Sequence, residues 1–320
     1  MECKSSTGLV SDARLQSALL YTGGPEEFEA YPPMSSQAAF VRRSVQCASP
    51  SGLHRMSYLE WGSRDSTRVL ICAHGLTRCG RDFDFLAQAL CDDYRVICPD
   101  IPGRGESDWL KNPLEYSVPV YVAAMVTLIA RLDVEAVDWV GTSLGGMIGM
   151  GLAALPESPI RRLVLNDAGP LITAVSLDRI GEYVGKAPRL PSLAAAEMLV
   201  RAVSAPFGPH SDAEWRFLTE HAVKTEADGS VVFRYDPAIA VAFNAQKPHQ
   251  DIDMWPLYDA IRCPTLVLRG ERSDLLSAET ATAMTGRGPK ATLAEFAGVG
   301  HAPTLIHADQ IAVVKAFLAA

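Results

Sequence analysis

Apolar positions along the chain fall into two kinds of run that take turns. Arg68 to Ala73 is short and nearly continuous, as a central parallel strand buried on both faces requires. Tyr94 to Cys98, Ala136 to Val140, Arg162 to Asn166, Pro264 to Arg269 and Thr292 to Phe296 repeat that pattern. Between them, Arg81 to Leu90, Val118 to Leu132, Met147 to Leu155, Ala278 to Thr285 and Ala308 to Leu318 have helical spacing. Two earlier strands are predicted, Ala39 to Cys47 and His54 to Trp61, separated by the turn signal Ser-Pro-Ser-Gly. Residues 1–36 read as a loosely ordered lead-in with weak periodicity. Strands and helices that alternate in this way predict an α/β fold, a parallel sheet with right-handed crossovers.

The rhythm breaks between Leu171 and Asp253. That stretch holds helix candidates, among them Ser211 to Val223 with Ser211 or Asp212 as cap, and an Asp228-Gly229 turn before a strand-like Val231 to Tyr235. So long a departure from the main pattern predicts an insertion covering one end of the sheet.

Composition narrows the function classes. A formal charge of −8 over 320 residues, with no basic stripe, argues against nucleic acid or an anionic membrane as partner. The longest apolar run, Val118 to Ala130, is too short to span a bilayer. The apolar patch Leu15 to Leu20 lacks a following cleavage pattern, so no signal peptide is expected. Seven cysteines without a C-x-x-C pair read as reduced thiols of a cytoplasmic protein. Phosphate-loop, dinucleotide and H-E-x-x-H motifs do not occur, so neither cofactor nor metal is expected and the partner is a small-molecule substrate.

Candidate chemistry centres on Gly141-Thr142-Ser143-Leu144-Gly145, a G-x-S-x-G between a strand and a helix. A turn that sharp projects the serine hydroxyl above the sheet edge, and it needs glycines two places either side. A serine nucleophile needs a base, the base needs an orienting acid, and a developing oxyanion needs donors. His301, in Gly298-Val-Gly300-His301 after the last predicted strand, is the best placed of seven histidines. Two aspartates follow strands: Asp274, in Gly270-Glu-Arg-Ser-Asp274, and Asp167, immediately after Asn166. The expected oxyanion donors are the backbone amides of Leu144, at the elbow, and Leu76, in His74-Gly75-Leu76. Asp100 is expected to brace its own Pro-Gly loop.

His74-Gly75, the loop from Asp100 to Ser107, the serine elbow, Gly270 to Asp274 and Gly300-His301 occur in an order that resembles the α/β-hydrolase fold superfamily, in its esterase- and lipase-like serine branch. The resemblance implies an eight-stranded, mostly parallel sheet with a mainly helical cap inserted after the sixth strand. The core would be 37–170 and 254–320, and the cap 171–253. It also favours Asp274 over Asp167, giving a triad Ser143, Asp274 and His301 that cleaves a small or medium acyl ester. Lactone, thioester or carbon–carbon cleavage on the same triad, or ligand binding without catalysis, are the alternatives. Trp215, Phe217, Phe233, Tyr235 and Phe243 either line an acyl pocket or pack the cap, and Arg78 and Arg81 either meet an acidic group or form local pairs.

Overall fold

The computed structural model describes residues 40–320, so the lead-in expected over 1–36 lies outside it. The strands in chain order are β1 (Val41–Ser49), β2 (Gly52–Trp61), β3 (Val69–Ala73), β4 (Arg95–Pro99), β5 (Val137–Thr142), β6 (Ile160–Asn166), β7 (Leu171–Ile172), β8 (Val223–Thr225), β9 (Val231–Phe233), β10 (Ile252–Asp253), β11 (Thr265–Gly270) and β12 (Thr292–Phe296). Eight of them form one sheet in the order β1-β2-β4-β3-β5-β6-β11-β12. β1 and β2 form an antiparallel hairpin, β2 meets β4 antiparallel, and every pairing from β4 to β12 is parallel.

Helices cover both faces: α1 (Asp84–Leu90), α2 (Val118–Leu132) and α3 (Leu144–Ala153) before the insertion, and α9 (Ala278–Gly286) and α10 (Ala308–Ala319) after it. On β3, Val69, Ile71 and Ala73 enter one apolar cluster with residues of α2 and α3, while Leu70 and Cys72 enter the other with α1 and α10. All five residues of that strand are buried, which is why it reads as a continuous apolar run.

The chain runs from β3 outward to β4 and then returns to β5 on the other side of β3. That reversal opens a crevice at the carboxyl ends of β3 and β5, the usual ligand site of an open α/β sheet. The elbow sits there. α3 begins at Leu144, three residues before the apolar pattern predicts, because Gly145 and Gly146 look like helix breakers and are instead packing requirements. A Cβ on Gly145 would lie 1.9 Å from the Ala73 carbonyl oxygen, and one on Gly141 would lie 2.2 Å from the Gly145 oxygen.

Between β6 and β11 the chain leaves the sheet and forms α4 (Ala174–Gly181), α5 (Leu193–Val203), α6 (Asp212–Ala222), α7 (Ile239–Asn244) and α8 (Trp255–Ala260) with the small hairpin β8-β9. β7 and β10, at its two ends, pair antiparallel through Ile172 with Ile252 and Leu171 with Asp253. Ser211 is the cap of α6 and completes a reciprocal capping box with Glu214, satisfying two amides that would otherwise be orphaned. Among the described residues no helix is long and apolar enough to cross a membrane.

Candidate active site

Ser143 occupies the elbow with φ 52° and ψ −112°, a conformation that residues with a side chain rarely adopt. Its amide donates to the Asn166 carbonyl at 3.0 Å, and its carbonyl starts α3 by accepting from Gly146 and Met147. The Trp139 indole, fully buried under the turn, donates to the Gly145 oxygen at 3.0 Å. The strained turn is therefore held from the strand side and from the helix side.

His301 reaches it from the loop after β12. Its Nε2 lies 3.0 Å from Ser143 Oγ, and its Nδ1 lies 2.7 Å from Asp167 Oδ2. The acid beside His301 is thus Asp167, not Asp274, which corrects the expectation from family order. Asp167 is the first residue after β6, has a fully buried side chain, and takes φ 50°. Its other acceptor sites are filled by the Gly270 amide at 3.1 Å and the Ser273 hydroxyl at 2.5 Å. Burying a carboxyl group is costly unless its oxygens are hydrogen-bonded, and here each of them is.

Asp274 is 49% exposed and ion-paired with Arg179, while His301 Nδ1 is taken by Asp167. The loop from Gly270 to Asp274 therefore contributes hydrogen-bond donors to the acid rather than the acid itself. Ser273 escaped sequence reasoning because a lone serine in a loop carries no signal. Asn166 did too: its amide nitrogen donates to Thr142 Oγ1 at 2.9 Å and to the Pro303 carbonyl at 2.8 Å, joining the elbow strand to the His301 loop.

Leu76 and Leu144 both line the cavity in front of Ser143. Gly75 lies so close to the elbow that a Cβ on it would stand 3.8 Å from the Ser143 Cβ. The Gly75–Leu76 peptide is oriented by bonds to the Gly75 oxygen, from His74 Nδ1 at 2.7 Å and from the Arg78 amide at 3.3 Å. His74 Nε2 accepts from the Ile101 amide at 2.9 Å, so the ring is the neutral Nδ1–H tautomer. Asp100 braces the neighbouring loop, accepting from the Glu106 and Gly80 amides at 2.9 and 2.8 Å.

Burial pushes the His74 pKa down to about 3. The unfolded chain, with an ordinary histidine, takes up this proton between that value and 6.5, so stability should fall as pH falls through the window. One such group contributes a slope of about 1.4 kcal/mol per pH unit. Urea midpoints measured from pH 4 to 7 should show a shallower pH dependence in His74→Asn than in wild type. Parallel curves would mean that another group carries the acid sensitivity.

The cavity above Ser143 has a volume of about 1130 Å³ and is walled largely by apolar side chains of the inserted segment, including Leu177, Ile180, Phe233, Tyr235 and Phe243. Trp215 and Phe217 do not line it; they pack with Leu218 and Ile306 in a separate cluster. Arg78 reaches the cavity wall but is engaged by Asp82, and Arg81 is engaged by Asp84.

A strained serine after a central strand, with a histidine and a buried aspartate in line, places the molecule within a known class. The chain belongs to the alpha/beta hydrolase family, whose model matches residues 70–315. It is 49% identical over 280 residues to a 3-hydroxybutyrate-oligomer hydrolase of Cupriavidus necator, covering 85% of this chain and 96% of that one. Among solved structures it is similar to an alpha/beta hydrolase from Novosphingobium aromaticivorans, with TM-score 0.80 and 36% identity over 89% of this chain and 99% of that one. It is also similar to a putative hydrolase from Rickettsia typhi, with TM-score 0.81 and 32% identity over 87% and 99% of the two chains.

Proposed function

We propose that this protein is a serine hydrolase that cleaves short linear oligoesters of hydroxy acids, with 3-hydroxybutyrate oligomers as the substrate class. The observation that carries the chemistry is the line from Ser143 Oγ through His301 to Asp167, at 3.0 and 2.7 Å. In this reading His301 Nε2 takes the hydroxyl proton as Ser143 attacks the ester carbonyl, and Asp167 holds the Nδ1–H tautomer and stabilises the imidazolium. The amides of Leu76 and Leu144 receive the oxyanion. His301 then gives its proton to the departing alkoxide oxygen, which leaves as the alcohol, and an acyl group stays on Ser143. His301 takes a proton from a water molecule as the water attacks that acyl group, and returns it to Ser143 Oγ as the acyl–oxygen bond breaks and the acid leaves. The net change is one ester and one water converted to an acid and an alcohol.

The substrate class is supported by the relative of Cupriavidus necator and by the cavity. Its 1130 Å³ is above the range of roughly 300–1,000 Å³ for drug-sized ligands, which suits several short, methyl-branched ester units in a chain. The segment 171–253 acts as a cap whose apolar side chains hold that chain over Ser143.

Incubation with the linear trimer of 3-hydroxybutyrate should release dimer and monomer, read by liquid chromatography. Fluorophosphonate labelling of Ser143 serves as the companion measurement. Labelling with cleavage of p-nitrophenyl butyrate but an intact trimer would leave the chemistry standing and remove the substrate class. Absence of labelling and of ester cleavage would remove both.

A further inference from the structure

Arg104 is fully buried in the loop that follows β4, and its hydrogen bonds go to neutral groups. Nε donates to the Leu76 carbonyl at 2.8 Å, while Nη1 donates to the Pro102 carbonyl and the Tyr121 hydroxyl, each at 2.8 Å. Nη2 has no hydrogen-bond partner among the described residues. The guanidinium carbon stands 5.1 Å from the Tyr121 ring centre and 5.7 Å from that of Tyr116, so two aromatic faces supply part of the lost hydration. A cation buried in this way is costly to keep, and an apolar side chain would fill the same volume at less cost. What only a rigid, multiply donating group can do here is hold the Leu76 carbonyl.

The backbone on either side of Arg104 is tied to the cap. Gly105 donates to the Arg234 carbonyl at 2.7 Å, Asp236 donates to the Gly103 carbonyl at 2.8 Å, and Arg104 stands opposite Tyr235 in an antiparallel bridge. The Tyr116 hydroxyl donates to Asp236 Oδ2 at 2.5 Å, which fixes the same junction from below. Leu76 is therefore held on both of its peptide planes: the preceding one through the Gly75 oxygen, and the following one through Arg104.

We propose that Arg104 is a positioning residue for the oxyanion amide of Leu76, and that through its bridge to Tyr235 the seating of the cap sets the geometry of the oxyanion loop. The proposal rests on the serine-hydrolase reading of Ser143. An oxyanion donor that shifts out of line weakens transition-state binding while leaving ground-state binding largely intact. Arg104 does not line the cavity in front of Ser143, whereas Leu76 does, so its effect passes through Leu76.

The experiment compares wild type, Arg104→Met and Asp236→Asn on p-nitrophenyl butyrate. It reads kcat, KM, the inhibition constant of a trifluoromethyl ketone that forms a tetrahedral adduct, and the melting temperature. Wild-type turnover is measured first, and its absence overturns the hydrolase reading and this inference with it. Arg104→Met should lower kcat at least about tenfold with KM within about threefold, and ketone affinity should fall by a matching factor. Asp236→Asn should show the same split, and the double variant should be no worse than Arg104→Met alone, because both act on one loop. Unchanged kcat in Arg104→Met, or a kcat loss with ketone affinity intact, overturns the positioning role. Fully additive losses in the double variant overturn the link to the cap. Should Arg104→Met fail to fold, Arg104→Lys takes its place, since it keeps the charge, cannot make all three bonds, and is read by the same split.

Discussion

Asparagine in place of Asp167 should lower kcat on an activated ester by on the order of 10³–10⁴-fold with little change in KM. The argument comes from the donors around the carboxylate. Gly270 N–H, Ser273 O–H and His301 Nδ1–H all point at Asp167 oxygens. An asparagine has one oxygen for them, and the Gly270 amide cannot turn away. The side-chain NH₂ is then driven to the Oδ2 position, where it faces His301 Nδ1. That nitrogen must become an acceptor, the ring proton moves to Nε2, and Nε2 can no longer take a proton from Ser143. Asp274→Asn makes the opposite case. Its carboxylate is half exposed and pairs with Arg179 at the edge of the cavity, an interaction worth at most about 1 kcal/mol in solvent. Its kcat should stay within about threefold of wild type. Steady-state kinetics on the two variants decide between them, and a crippled Asp274→Asn beside an active Asp167→Asn would reverse the assignment of the acid.

The same pair of aspartates shows what can be read from the chain and what cannot. The order serine, acid, histidine does not discriminate, because Asp167 and Asp274 both lie between Ser143 and His301. Distance from the strand end was the better guide: Asp167 follows Asn166 directly, whereas Asp274 comes four residues after Gly270 closes β11. A carboxylate one residue beyond a buried central strand stays under the loops; four residues out, the chain has already turned toward solvent. Strand positions were legible because a central strand buried on both faces has no alternative pattern, and β3, β6 and β11 stand within two residues of their apolar runs. The elbow motif was legible because Gly141 and Gly145 answer backbone contacts rather than side-chain preferences. The inserted segment was legible as an interruption only. Which aromatic side chains face the cavity depends on how its short helices and its small hairpin pack, and Trp215 on α6 and Phe233 on β9 end in different places. Arg104 was invisible for a related reason, since an arginine between two glycines in a loop looks like a solvent-exposed charge.

Removing the Ser143 hydroxyl should lower ester turnover by about 10⁴-fold or more, the largest activity loss expected of any single change. The fold should hardly notice. Serine and alanine bear the positive φ of the elbow equally, so the strain of that backbone is the same before and after. The hydroxyl faces the cavity, and the hydrogen bond it loses, to His301, is a net contribution of about 1 kcal/mol. His301 remains seated by Asp167, so the site keeps its shape without its nucleophile. Ser143→Ala should therefore melt close to wild type and bind an uncleaved oligoester with similar affinity while failing to be labelled by a fluorophosphonate. Because the serine and histidine act as one unit, Ser143→Ala/His301→Ala should lose little beyond the single variant; a double variant slower by the product of the two losses would mean that they act independently. Ester hydrolysis by Ser143→Ala at the wild-type rate would leave the elbow a structural turn and move the chemistry to another residue of the cavity.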